Sequence, residues 1–164
     1  MSQYICVDIG GTSIKHGVLD ENAIIKECNQ TKTEAWLGGA AVLDKVKTIG
    51  KQYKEQYENI EGICISTAGM VDPEEGKIVF AGELMPDYTG TCIKKELEKA
   101  LEMPCEVEND VNCAGLAEYV SGSAKESHIM FCATVGTGIG GCAIVNGRVF
   151  HGASNSACEV GYIP

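Results

Sequence analysis

The chain reads as an α/β domain on a mixed sheet, followed by the start of a second unit. Three observations carry that reading. Three short apolar segments open the chain at a spacing too tight for helical crossovers, so they form an antiparallel meander. Helical and strand-like segments then alternate, the order in which a sheet collects parallel neighbours. From Ser127 onward only Arg148 and Glu159 carry charge, and the turn-forming run Ser121 to Ser127 precedes that shift, which divides the chain into 1–122 and 123–164.

The opening strands are expected at Tyr4–Asp8, Ile14–Leu19 and Ala23–Cys28. Leu43, Val46, Ile49, Tyr53 and Tyr57 recur at helical spacing and predict a helix over 37–58. Ile60–Ser66 reads as a buried strand. Ile93, Leu97, Ala100 and Leu101 mark an amphipathic helix from about Thr91 that must stop before Pro104. Cys105–Glu108 is a short strand, and Asp110 is placed to cap a helix ending near Gly122. Ile129–Val135, Cys142–Val145 and Arg148–Phe150 close the chain as strands, the last two joined by the hairpin signal Asn146-Gly147. The uncharged run Ser127–Gly147 contains too many glycines to form a membrane helix.

Composition excludes other classes. A formal charge of −10 is wrong for a polyanion binder, so no nucleic-acid partner is expected. Nine cysteines, an odd number without a CxxC spacing, describe neither a disulfide framework nor a zinc site. Cys6, Cys64 and Cys132 lie in apolar runs and are expected to be small buried hydrophobes in a reducing cytoplasm. Trp36 is assigned to packing. His16 and His151 lack ligand-spaced partners and are given no chemical role.

Two glycine loops stand out among 20 glycines. Asp8-Ile9-Gly10-Gly11-Thr12-Ser13 joins two strands; its glycines allow amide groups to converge on an anion, Thr12 adds a hydroxyl, and Asp8 is placed to hold Mg²⁺ directly or through water. A plain hairpin turn explains the same residues. Gly136-Thr137-Gly138-Ile139-Gly140-Gly141 formally satisfies a dinucleotide fingerprint. Such a loop must open a helix, whereas this one runs between strands, and a phosphate clamp fits better. Asn109 and Asp110 follow a strand and start a helix, where a carboxylate is held ionised and can take a proton from an attacking hydroxyl. Simple capping is the competing explanation. Gly69 leaves a strand through a turn lined by small residues, as an ordinary strand exit also would.

Taken in order, Asp8-Ile9-Gly10-Gly11-Thr12, Ser66-Thr67-Ala68-Gly69-Met70-Val71-Asp72, Glu108-Asn109-Asp110-Val111-Asn112, Gly136–Gly141 and Gly152-Ala153 with Glu159-Val160-Gly161 resemble the ROK family (repressors, ORFs and sugar kinases) of the actin-like ATPase superfamily. The resemblance implies a ribonuclease-H-like α/β fold, with a mixed five-stranded sheet flanked by helices in 1–122 and the start of a similar nucleotide lobe in 123–164. It implies ATP and Mg²⁺ as cofactors, a small-molecule sugar as partner, no membrane, and a homodimer when complete. Asp110 becomes the general base on a sugar hydroxyl, usually the 6-hydroxyl. Asn109, Glu159, Gly69 and Glu83 become sugar-binding residues. Asp8, Gly10, Gly11 and Thr12, with Gly136, Thr137, Gly138 and Gly140, become phosphate-loop residues.

Three departures qualify the resemblance. Tyr162 stands where family members commonly carry a histidine that binds sugar and zinc, so no zinc is expected. Glu83-Leu84 replaces the usual Asn-Leu, leaving Glu83 either to accept sugar hydroxyls or to face water. The chain stops at Pro164, about halfway through a typical member, and is expected to be a fragment. The activity expected is phosphoryl transfer from ATP to a hexose, a β-glucoside or an N-acylhexosamine. A sugar-responsive repressor of the same family would carry a DNA-binding domain before Asp8, and none is expected there. A non-catalytic sugar-binding module is the third alternative.

Overall fold

A computed structural model describes residues 1–136 and 138–162; Thr137 and the side chain of Tyr162, both singled out above, lie outside the described residues. The chain forms two compact units, Met1–Glu108 and Asn109–Pro164.

In the first unit, β1 (Gln3–Ile9), β2 (Ser13–Asp20) and β3 (Ile25–Lys32) form the antiparallel meander, and β4 (Ile60–Thr67) pairs with β1 in parallel. With β7 (Cys105–Asn109) beyond β4, the five-stranded order is β3-β2-β1-β4-β7. Strand alternation sends Ile5, Val7 and Ile9 of β1, Ile63 and Ile65 of β4, and Val107 of β7 into one core. Helix α1 (Gly39–Gln56) covers that face with Val42, Val46, Ile49 and Tyr53, and α2 (Ile93–Leu101) adds Ile93, Leu97 and Leu101. The two helices approach closely at Gly50, where a Cβ would lie 2.6 Å from Leu101 Cδ1.

Several expectations need correction. Strand β3 begins at Ile25 and not Ala23, because Asp20 Oδ1 accepts the amides of Asn22 and Ile24 at 2.9 and 3.0 Å and holds 20–24 as a turn. It also runs on to Lys32: as a solvent-exposed edge strand it carries no apolar alternation to reveal its length. A hairpin of β5 (Met70–Asp72) and β6 (Lys77–Phe80) was not anticipated. Only Val71 and Ile78 anchor it in the core, while Asp72 Oδ1 accepts the amides of Glu74 and Glu75 and closes its turn.

Cys6 is half-buried and Cys64 exposed, because both stand on the sheet face opposite Ile5, Val7, Ile63 and Ile65. Cys132 is half-buried as well; Cys105 and Cys142 are the buried pair. Trp36, in a short 3-10 turn before α1, is 71% exposed and is not a packing residue.

The second unit begins with α3 (Asp110–Ser121), followed by a three-stranded sheet ordered β10-β9-β8. β8 (Ile129–Val135), β9 (Ile139–Val145) and β10 (Arg148–Val149) are antiparallel, and Asn146 and Gly147 turn the second hairpin with φ of 49° and 78°. Val111, Leu116 and Tyr119 of α3 pack on Met130, Cys142 and Ile144. That packing groups α3 with the second unit, so the compact division after Glu108 and the charge shift near 122 do not coincide. α3 covers one face of these strands, while on the other Ile129 and Val135 are 73% and 83% exposed.

Candidate active site

In the second unit the site is built on the N-terminus of α3. Asn109, in extended backbone at φ −63° and ψ 146°, is the helix cap: its Oδ1 accepts from the amides of Val111 and Asn112 at 2.9 and 3.1 Å. Capping therefore does not fall to Asp110, which is the first helical residue; the strand simply runs one residue further than its apolar pattern shows. Asp110 Oδ1 accepts from Val111 N at 2.9 Å and from Asn109 Nδ2 at 3.1 Å. The amide of Asn109 thus divides its duties, its oxygen given to the helix and its nitrogen turned toward the carboxylate.

Glu159 belongs to the same constellation. Its carboxyl is pushed above the ordinary value, first by burial and then by the negative charge of Asp110. Its position follows from glycines. A Cβ on Gly161 would lie 2.2 Å from the Ile139 carbonyl oxygen, and one on Gly141 would lie 2.5 Å from that of Cys158. Only bare backbone lets the 156–161 segment lie this close on β9. Ala157 N donating to His151 O at 3.1 Å ties the segment to the chain just after β10.

The turn between β8 and β9 passes strand to strand, with Val135 opposite Ile139 and Gly136 N donating to Gly138 O at 2.9 Å. No helix follows, so the dinucleotide fingerprint is excluded. A Cβ on Gly136 or Gly138 would meet nothing within 4 Å, which leaves open room above the turn. Gly140 sits within β9, where a Cβ would lie 2.4 Å from Val111 Cγ2, so its lack of a side chain serves helix packing.

The first unit holds the other glycine loop. Gly10 N donates to Ser13 O at 3.0 Å, and a Cβ on Gly11 would meet nothing within 4 Å. Buried Thr33, which sequence reasoning missed, anchors the loop: its Oγ1 donates to Gly10 O at 2.6 Å and its amide to Thr12 O at 3.1 Å. Asp8 Oδ1 accepts from Ser66 Oγ at 2.8 Å, while Oδ2 lies 3.9 Å from Lys15 Nζ. Gly69, at φ +101°, joins β4 to β5 where a Cβ would lie 2.8 Å from Phe80 O. Beside it, Thr67 and buried Tyr88 share a hydroxyl hydrogen bond of 2.8 Å, and burial pushes the Tyr88 phenol up to about 12. Glu83 stands in an exposed loop. The predicted residues are thus apportioned: Asn109, Asp110, Glu159 and the 136–140 segment to the second unit, Asp8 to Thr12, Gly69 and Glu83 to the first.

Among the described residues, no cluster of three or more His, Cys, Asp or Glu side chains is arranged to hold a metal, and no helix is long and apolar enough to cross a membrane.

Comparison with known proteins finds relatives along nearly the whole chain. The chain is 53% identical over 163 residues to an uncharacterized protein of Clostridium perfringens, covering 99% of this chain and 55% of that protein. It is 33% identical over 156 residues to a β-glucoside kinase of Listeria monocytogenes, covering 95% of this chain and 51% of the relative. Among solved structures, a ROK family glucokinase of Streptomyces griseus in complex with glucose and AMPPNP matches with a TM-score of 0.87 and 31% identity, covering 99% of this chain and 50% of that one. The chain therefore spans about half the length of the relatives it matches. The α/β class with its mixed five-stranded sheet is that of the actin-like ATPase fold these kinases share. A family model described as the ROK family matches residues 4–164, and the chain belongs to that family.

Proposed function

We propose that the protein is a sugar kinase that moves the γ-phosphoryl group of ATP to a hydroxyl, the 6-hydroxyl, of a hexose, a β-glucoside or an N-acylhexosamine, with Asp110 as general base. The observation that carries this reading is the placement of Asp110 on the first turn of α3, with a half-buried Glu159 in the same unit. Relatives named as β-glucoside kinase and glucokinase support the reaction class.

Asp110 accepts the proton of the attacking hydroxyl at a carboxylate oxygen, and the helix N-terminus stabilises its charge until then. Asn109 can offer the sugar only its Nδ2 donor, because Oδ1 is committed to the cap. Glu159 accepts from a second hydroxyl, which fixes the ring. The family resemblance adds Gly69 and Glu83 as sugar contacts. ATP, when bound, supplies the phosphoryl group and an ADP leaving group. Gly10, Gly11 and Thr12 line one phosphate loop, and Gly136 and Gly138, with Thr137 between them, the other; the room above Gly11, Gly136 and Gly138 fits that use. A single part-exposed carboxylate such as Asp8 fits a Mg²⁺ that keeps most of its water. Positioning and charge stabilisation are most of what phosphoryl transfer asks of a protein. A reducing cytoplasm fits nine cysteines of which none among the described residues forms a disulfide.

The test is binding compared with turnover in Asp110→Asn. Sugar affinity should stay within a few-fold of wild type, while phosphorylation falls by about 10²–10⁴, the usual contribution of a general base. Parallel loss of both would assign Asp110 to binding and remove it as the base.

A further inference from the structure

The mechanism uses neither Cys6 nor Cys64, yet the sheet sets them side by side. They are register partners on the parallel strands β1 and β4. Adjacent strands run about 4.8 Å apart, and a disulfide accepts Cα separations of about 4.4–6.8 Å. Both side chains leave the sheet on the face opposite the core of Ile5, Val7, Ile63 and Ile65. As register partners on one face, the two thiols stand beside each other across the ladder. Cys64 is exposed and Cys6 half-buried, so a small molecule can reach the pair.

We infer that Cys6 and Cys64 form a peroxide-responsive dithiol, a modification site that a hydroperoxide closes to a disulfide across β1 and β4. The Cys64 thiolate attacks one oxygen of the hydroperoxide, the O–O bond breaks, and an alcohol or water leaves, which makes Cys64 a sulfenic acid. The Cys6 sulfur then attacks the Cys64 sulfur. The S–S bond forms as the S–O bond breaks, and hydroxide leaves as water with the Cys6 proton. In sum, two thiols and one hydroperoxide give one disulfide, one alcohol and one water; the sulfurs lose two electrons to the peroxide bond.

Neighbouring groups favour this pairing over others. The Cys6 hydrogen bond brings the Cys64 thiol down to about 7, against opposing effects of burial and of Glu106. Cys105, on the next strand, is buried in the core, and burial pushes it up to about 12. Cys28 lies in the same row of the sheet, Cys28–Gly17–Cys6–Cys64, but stands two strands from Cys6, about 10 Å away and beyond disulfide reach. One rung from the pair, on the same face, Ser66 holds Asp8 at the edge of the first glycine loop, so the linkage would form beside that loop.

The experiment is peptide mapping of the intact chain. Reduced protein is treated with one equivalent of hydrogen peroxide, alkylated, and digested with trypsin without reductant. Cys6 is the only cysteine of the tryptic peptide Met1–Lys15, and Cys64 the only one of Glu55–Lys77, so a cross-link between these peptides identifies the pair. The expected result is that linked species in most molecules, abolished by reductant. In Cys28→Ser its yield should match wild type. In Cys64→Ser it should vanish and Cys6 should be recovered alkylated. Recovery of both wild-type peptides alkylated overturns the inference. So does Cys64 carried to sulfinic acid beside an alkylated Cys6, or Glu55–Lys77 linked to a second copy of itself.

Discussion

Asn109 is asked to do two things at once, and substitution can separate them. Its Oδ1 caps α3 through two amides, and its Nδ2 faces Asp110. Asn109→Ala removes both functions. Val111 N retains Asp110 Oδ1 as an acceptor at 2.9 Å, so the stability loss corresponds to about one cap, near 1 kcal/mol within a range of about 0.5–2. With a urea slope of about 2 kcal/mol/M, the unfolding midpoint should fall by about 0.5 M. Asn109→Ser keeps an oxygen able to cap but has no amide nitrogen. Its midpoint should return to within about 0.2 M of wild type, while sugar affinity stays as weak as in the alanine variant, up to about tenfold down for one lost hydrogen bond. Urea melts by circular dichroism and sugar titrations by calorimetry provide both readouts. An alanine variant as stable as wild type would refute the cap. A serine variant that binds sugar like wild type would refute the donor role of Nδ2.

Other predictions follow from the same geometry. Removing the charge in Asp110→Asn should lower the Glu159 midpoint in a side-chain NMR titration, and an unchanged midpoint would separate the two carboxylates. Because its folded value is raised, Glu159 binds its proton more tightly folded than unfolded. Its contribution to stability is present below the unfolded value and is lost as pH rises through the folded one, so Glu159→Gln should be stabilising at pH 7 in denaturant melts. Gly161→Ala would force a Cβ to within 2.2 Å of the Ile139 carbonyl, and should cost about 1–3 kcal/mol and weaken sugar binding by displacing Glu159. Because its thiol is held below the ordinary cysteine value, Cys64 should exchange with an aromatic disulfide at pH 7 faster than an unstructured cysteine peptide does. Cys6→Ala should erase that advantage.

The parts of this molecule legible in its sequence are those where one local signal suffices. Alternating or helical apolar spacing located β1, β2, β4, α1 and α2, and Asn146-Gly147 located the last hairpin. The parts that were not legible depend on tertiary contact. β3 is an edge strand with polar side chains on both faces, and its start is decided by the Asp20 carboxylate. The β5–β6 hairpin rests on two buried residues, although the Asp72-to-Gly76 turn between apolar pairs was a usable sign. Cys6 and Cys64 sit in runs that are apolar at both parities, so sequence alone could not say which parity faces the core. In the candidate site, Asp110 and Glu159 were recognisable through family motifs, but the capping role of Asn109 and the anchoring of the glycine loop by Thr33 are statements about hydrogen bonds.

The most direct test of the central claim is ATP·Mg²⁺-dependent phosphorylation of a panel of hexoses, β-glucosides and N-acylhexosamines by this protein, with Asp110→Asn alongside. A sugar phosphate is expected from at least one member of the panel, formed about 10²–10⁴ more slowly by the variant. Turnover at the wild-type rate in Asp110→Asn, or no phosphorylated sugar from any member of the panel, would contradict that claim.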